Sequence, residues 1–247
     1  MGLGDWLMAA GEARAIYAQS KLPVVIIGRD GRVHWSEVFD HNPYIIKRTM
    51  GRQYARVISG SGFRPYIAGK TPRNWTWKPY KPKPAEMFFT PEELAFAEPY
   101  RGMVMVEPNV KNVGHTNKAW HWRRWEQVVE GMPGVKFVQC NAGTGGGLFG
   151  VELVVTPTFR HALAVLSVCR AFVGTEGGLM HGAAAVGTPA VILWSEFISP
   201  DITGYSNMRN IRHAGKACGN RFNCAGCRKA MDAITVSEVL TNLEGIL

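Results

Sequence analysis

The sequence predicts an α/β protein built around a parallel sheet with helices on both faces. Three observations carry this. From about residue 100 onward, short apolar runs alternate with amphipathic stretches, the pattern of successive βα units. The first part holds a helical pattern and two shorter apolar runs, each entering a glycine-containing loop. Between them, residues 71–85 read TPRNWTWKPYKPKPA, with four prolines in fifteen residues, which predicts an extended crossover without regular structure. A domain boundary near Pro99 follows, with units at 1–99 and 100–247.

In chain order, Trp6, Leu7, Ala10, Ala13, Ile16 and Tyr17 recur at helical spacing and predict a helix over 5–18. Residues 24–27 are a short apolar run stopped by Gly28, hence a buried strand, and Asp30-Gly31 marks a turn. Val57 and Ile58 form a second strand before the loop Ser59-Gly60-Ser61-Gly62. In the second half, strands are expected at 103–106, 135–138, 151–155, 171–173 and 190–193. Trp122, Trp125, Val128, Val129 and Met132 line one face of a helix that Gly134 ends. Thr156-Pro157 reads as an N-cap and first-turn proline for a helix to Arg170, and 179–186 as a further helix.

Composition excludes several classes. An apolar fraction of 46% and a charged fraction of 19% are those of a globular chain. No apolar run is long enough to span a membrane, and no basic leader precedes the first helix. A soluble, cytoplasmic protein is expected. Five cysteines, an odd number, argue against a disulfide framework. The net charge of +9 is concentrated in an acid-free block from Lys47 to Lys83: Lys47, Arg48, Arg52, Arg56, Arg64, Lys70, Arg73, Lys78, Lys81 and Lys83. Such a block attracts anions, or is simply a solvated basic face.

The richest stretch chemically is FVGTEGGLMHGAAAVGTPAVIL, residues 172–193. A strand runs into a glycine-rich turn (Gly174, Gly177, Gly178), then a helix of small residues. Backbone N–H groups and the positive helix end then converge on one point, which suits a phosphate. Glu176 can accept from ribose or sugar hydroxyls, and His181 can donate to a phosphate oxygen. A generic tight βα turn with a core histidine is the plainer alternative. The run 143–150, GTGGGLFG, lacks the ending of a P-loop and reads as a flexible loop near the nucleotide cleft.

The stretch resembles the donor-site motif of the heptosyltransferases, glycosyltransferase family 9, roughly V-G-N-D-[ST]-G-x-x-H-x-A-A-A-x-G-x-P. It matches at Val173, Gly174, Gly178, His181, Ala183, Ala184, Ala185, Gly187 and Pro189. Thr175, Glu176 and Gly177 replace the usual Asn, Asp and Thr or Ser. Lys118-Ala119-Trp120, followed by Arg123, Arg124 and Trp125, is similar to the family's K-x-W segment. Gly2-Leu3-Gly4-Asp5 is similar to its G-x-G-D loop, and Asn42-Pro43-Tyr44-Ile45 to its N-P-Y-[IV] segment. Cys224, Cys227 and Ala233-Ile234-Thr235 are similar to its cysteine-containing tail.

The resemblance implies a GT-B-type fold of two Rossmann-like lobes, the first reduced. A strand precedes the G-x-G-D loop in the family, so either the sequence begins late or this lobe lacks that strand. It further implies an inverting, metal-independent glycosyltransferase using a nucleotide-diphosphate sugar, ADP-heptose being the family's donor. Asp5 would be the catalytic base, and Lys118, Thr175, Glu176, Gly177, Gly178 and His181 the donor site. An N-cap is the plainer role for Asp5, and a surface lysine the plainer role for Lys118.

The implied acceptor is a bacterial glycan or lipopolysaccharide core, bound with peripheral contact at the inner membrane surface. The basic block, interleaved with Tyr54, Phe63, Tyr66, Trp75, Trp77 and Tyr80, suits a phosphorylated glycolipid. It equally suits nucleic acid, with a modified base as acceptor. A non-catalytic nucleotide-sugar-binding module is the third alternative. His213, Cys218, Cys224 and Cys227 could supply four zinc ligands. Reduced structural thiols are the favoured reading, because the Cys218 spacing fits no standard zinc module.

Overall fold

The computed structural model describes residues 2–28, 31–48, 51, 53–58, 64–110, 116–142 and 146–247. The expected features at Asp30 and 59–62, with Arg52, Phe63 and 143–145, lie outside these.

Helix α1 spans Leu3–Ser20, and its first turns are buried on every side, from Asp5 through Gly11. A helix apolar all round belongs inside a protein. Here α1 lies between a small sheet and the second half of the chain. The small sheet pairs β1 (Val24–Ile27) with β2 (Ala55–Ile58) in parallel. Asn42 explains the N-P-Y-I segment between them: its side-chain oxygen accepts from the N–H groups of Tyr44 and Ile45, both at 3.0 Å.

The crossover differs from expectation. Strand β4 (Trp75–Trp77) lies inside the proline-rich region and forms an antiparallel hairpin with β3 (Ile67–Lys70), just before it. Trp75-Thr76-Trp77 is free of proline and rich in β-forming residues. It also gains a partner remote in sequence: Trp75 N–H donates to Gly219 O at 2.9 Å, and Arg221 N–H to Arg73 O at 2.9 Å. Residues 78–90 form no regular structure, as the prolines lead one to expect.

Helix α2 (Pro91–Ala97) begins with a capping box between Thr90 and Glu93. The second half then alternates as expected through β5 (Val104–Glu107), α3 (Trp122–Glu130), β6 (Phe137–Asn141), β7 (Glu152–Val155), α4 (Phe159–Val168), β8 (Ala171–Thr175), α5 (Gly178–Val186) and β9 (Ala190–Trp194), and continues into elements the sequence reading did not place: α6 (Pro200–Thr203), β10 (Arg209–Arg212), α7 (Ala225–Ala233) and α8 (Val236–Glu244). Two ends differ from the sequence reading. Helix α3 stops at Gly131, not Gly134. Helix α4 is capped by Thr158, whose hydroxyl accepts from His161 N–H, so Pro157 precedes the cap rather than following it.

The six strands β5 to β10 form one parallel sheet in the order β10-β9-β8-β5-β6-β7. Alternate residues face two cores. Met105, Phe172, Ile192 and Trp194 pack towards α1, α4 and α5. Val104, Val106, Val173, Val191 and Leu193 pack with residues of α3, α7 and α8. The chain runs outward from β5 through β6 to β7, then returns to β8 on the other side of β5. The β5–β8 junction is therefore the topological switch point, where open α/β sheets bind ligands at the carboxyl ends of their strands.

Candidate functional site

At the switch point, Glu107 ends β5 in register with Gly174 of β8. Thr175 and Glu176 follow, and Gly177 caps α5. The N-terminal N–H groups of α5 are thus presented at the mouth of the crevice. The Lys118 ammonium forms an ion pair with the Glu176 carboxylate and lies 5.2 Å from the Phe197 ring centroid. Both partners are largely buried. Lys118 is therefore not a surface lysine; it is a positive charge held at the helix end.

Asp5 reaches the same region from the other side. It is buried, and it occupies the third position of α1 after the cap Gly2, so it is not the N-cap itself. Its Oδ2 accepts from Gly2 N–H at 3.3 Å and from Arg64 Nε at 2.9 Å. Arg64 Nη2 adds a contact of 2.8 Å to the same oxygen. Among the described residues, its Oδ1 accepts one hydrogen bond, from the Tyr66 hydroxyl at 3.1 Å. A carboxylate has about four lone-pair sites, so Oδ1 keeps one for a further donor. Burial opposes the Arg64 charge, but the Asp5 carboxylate outweighs it and raises the guanidinium further. Burial, then the Asp5 and Glu176 charges, push the Tyr66 phenol well above its ordinary value.

Gly4 permits this convergence. A Cβ there would lie 2.7 Å from His181 Cδ2 and 3.4 Å from Gly178 Cα, so the starts of α1 and α5 touch only because residue 4 has no side chain. His181 is buried, and its Nδ1 shares a 2.9 Å hydrogen bond with the Tyr205 hydroxyl. Burial pulls the imidazole down to about 4, against the opposing charges of Glu176 and Asp5. At neutral pH His181 is therefore a buried, uncharged imidazole.

A depressed histidine stabilises the fold fully above its unfolded value near 6.5. That contribution is lost as pH falls towards 4, because the unfolded state takes the proton first. Stability should therefore drop between those limits by up to about 3 kcal/mol from this residue. Urea unfolding across that range, with the imidazole followed by NMR, measures both. A ring that protonates near 6.5 in the folded state would contradict the assignment.

The sequence reading missed three residues here. Arg64 and Tyr66 lie in the basic aromatic block, where nothing local links them to Asp5. Glu107 is a carboxyl pushed up to about 7 by burial, partly opposed by Asn109 N–H, which donates to it at 2.7 Å. Its position at the end of an apolar strand was the available signal.

Part of the basic block is also neutralised internally. Arg64 pairs with Asp5, and Lys83 Nζ with Glu12 at 2.8 Å. Tyr66 and Trp75 are buried, and Trp77 Nε1 donates to Phe197 O at 3.1 Å. These rings are packed, not presented for stacking on bases.

The glycine-rich run is anchored where described. Gln139 donates to Gly146 O at 2.8 Å and accepts from Leu148 N–H at 2.9 Å. Of the four candidate zinc ligands, Cys218, Cys224 and Cys227 converge. His213 does not join them, because its Nε2 lies 2.7 Å from Glu238 Oε2 on α8.

The parallel sheet, the reduced first sheet and the switch-point crevice define a GT-B-type α/β protein. The fold is similar to that of E. coli ADP-heptose LPS heptosyltransferase II, at 15% identity and a TM-score of 0.63, covering 99% of this chain and 96% of that one. It is also similar to the glycosyl transferase family 9 structure from Veillonella parvula, at 13% identity and a TM-score of 0.67, covering 100% and 94%. A third similar structure is TibC, an iron-containing dodecameric glycosyltransferase of enterotoxigenic E. coli, at 15% identity and a TM-score of 0.61, covering 100% and 74%. TibC is also known in complex with ADP-D-β-D-heptose.

Residues 146–235 match the sequence model of glycosyltransferase family 9 (heptosyltransferase), a span that contains the whole motif around α5. No curated protein matches the chain. Fold and family match together support a glycosyltransferase. No helix among the described residues is long and apolar enough to cross a membrane.

Proposed function

We propose that this protein transfers a sugar, with inversion, from a nucleoside-diphosphate sugar to an acceptor hydroxyl. The observation that carries the reading is the convergence of Asp5 with Lys118, Glu176 and the start of α5 around one crevice. The acceptor hydroxyl gives its proton to Asp5 Oδ1, the oxygen with a lone pair to spare. The acceptor oxygen attacks the anomeric carbon as the bond to the diphosphate breaks. Negative charge builds on the leaving diphosphate, where Lys118 and the α5 N–H groups offset it. These fixed groups do the work a metal ion would otherwise do, so the transfer step needs none. Glu176, which pairs with Lys118, turns to the ribose or sugar hydroxyls once the diphosphate takes the lysine.

ADP-heptose is the first donor to test, being named for two of the similar structures. A phosphorylated glycan or lipopolysaccharide core is the matching acceptor. The lobe at 1–99 holds the acceptor, and the unpaired part of the basic block meets its phosphates, including those at a membrane surface.

Thermal unfolding against ADP, UDP, GDP, CDP and their sugar conjugates tests the donor site. One nucleotide family should raise the midpoint selectively, by the equivalent of about 2.7 kcal/mol at a hundredfold excess over its dissociation constant. No shift with any of them would overturn the reading.

A further inference from the structure

The reaction leaves the cysteine cluster unexplained. Cys218 Sγ lies 3.9 Å from Cys224 Sγ and 3.6 Å from Cys227 Sγ, and all three sulfurs fall within 4.8 Å of one another. A disulfide needs about 2.05 Å between sulfurs. A tetrahedral ion with metal–sulfur bonds of about 2.3 Å holds its sulfurs about 3.8 Å apart. The observed spacings fit the second arrangement.

Two of the three cysteines stand at the start of a helix. Cys224 caps α7 and Cys227 sits in its first turn, where the positive helix end stabilises negative charge. Asn220 N–H donates to Cys218 Sγ at 3.4 Å.

We propose that Cys218, Cys224 and Cys227 bind a thiophilic divalent cation of the zinc or ferrous class. Each thiol loses its proton to solvent on binding, and no redox step is involved. Three thiolates leave one position of a tetrahedron for water or an added thiol.

The ion's task is to pin the 218–227 segment, on which two parts of the site depend. Asn117, next to Lys118, donates to Asn220 O at 2.7 Å and Phe222 O at 2.6 Å, and accepts from Cys224 N–H at 3.0 Å. On the other side, Gly219 lies against the β3–β4 hairpin, so close that a Cβ there would stand 1.8 Å from Trp75 O. The cluster thus ties Lys118 to the hairpin, which stands just beyond Arg64 and Tyr66, the two residues holding Asp5.

The experiment uses the full chain, purified under reducing conditions. Elemental analysis should find a single equivalent of zinc or iron. After chelation, Co(II) should restore one equivalent with thiolate charge-transfer absorption and tetrahedral visible bands. Cys218→Ser/Cys224→Ser should lose those bands. Chelation should lower the unfolding midpoint, and added Zn(II) should recover it. Metal should also protect Cys218 from alkylation in the wild-type chain, a readout that stands even if the variant does not fold. A metal-free reduced protein that gives no Co(II) bands, and whose Cys218 alkylates equally fast with and without Zn(II), overturns the proposal. None of these readouts depends on sugar transfer.

Discussion

Arg160→Met is expected to lower the free energy of unfolding by about 3–5 kcal/mol, the range for removing one partner of a buried ion pair. Arg160 is only 4% exposed, and its guanidinium meets Glu93 in a fork, with Nε and Nη2 each 2.7 Å from a carboxylate oxygen. The same group donates to Phe88 O at 2.6 Å, Asp40 O at 3.1 Å and Glu37 O at 3.3 Å. One side chain on α4 therefore bolts together α2, the crossover and the turn after β1. Methionine fills the volume but leaves Glu93 charged, buried and without its cation.

Burial works to raise the Glu93 carboxyl, yet Arg160 and Thr90 N–H outweigh it and hold it below its usual range. The pair's contribution is thus complete above the unfolded carboxyl value near 4.5 and lost as pH falls through the lower folded value. The gap between wild type and variant should narrow below about pH 4. Denaturant titrations at neutral and acidic pH measure it. A loss under about 1 kcal/mol at neutral pH would put the pair with exposed salt bridges and refute the bolt. Arg160→Met combined with Glu93→Leu should recover much of the loss, since the stranded charge is then gone.

Asp5→Asn is expected to cut turnover by about 10²–10⁴, the usual contribution of a positioned base, while leaving the nucleotide-induced rise in unfolding midpoint intact. Asparagine keeps the shape: its one oxygen can still accept from Arg64, and its NH2 can donate to the Tyr66 hydroxyl oxygen. It cannot take a proton from an acceptor hydroxyl. Steady-state kinetics beside thermal shifts separate the two effects. A variant that turns over like wild type would remove Asp5 from the chemistry. One that also loses its response to nucleotide would mean that Asp5 holds the donor site's shape rather than the proton.

Most of the second half was legible because its central strands β5, β8 and β9 are near-continuous apolar runs buried on both faces. Residues 171–194 show it best: strand, glycine turn, small-residue helix and strand all lie where the pattern puts them. What escaped the sequence depended on partners far along the chain. The β3–β4 hairpin was hidden by its prolines, and its outer neighbour lies at 219–221. Arg64 sits in a block of cations whose obvious reading is repulsion and solvation, yet its partner is Asp5, in the first turn of α1. Arg160 reads as one more helical arginine. Only its place in the apolar run F-R-H-A-L-A-V-L, beside a capping-box glutamate elsewhere, hints at burial. The metal set was half legible. The C-x-x-C spacing pointed to two ligands, while the third came from the loop's path and the histidine was taken by α8.

The docking of residues 219–221 on the hairpin also constrains how the protein is made. Until that late segment emerges from the ribosome, the outer edge of β4 lacks the backbone bonds that residues 219–221 make with it, and the bolt at Arg160 is absent until α4 has been synthesised. The first half thus waits through most of translation with an open strand edge and part of its apolar surface uncovered. An open edge of this kind recruits other chains. The residues crowded around it (Lys70, Arg73, Lys78, Pro79, Lys81) are of the charged and proline kinds that blunt such an edge.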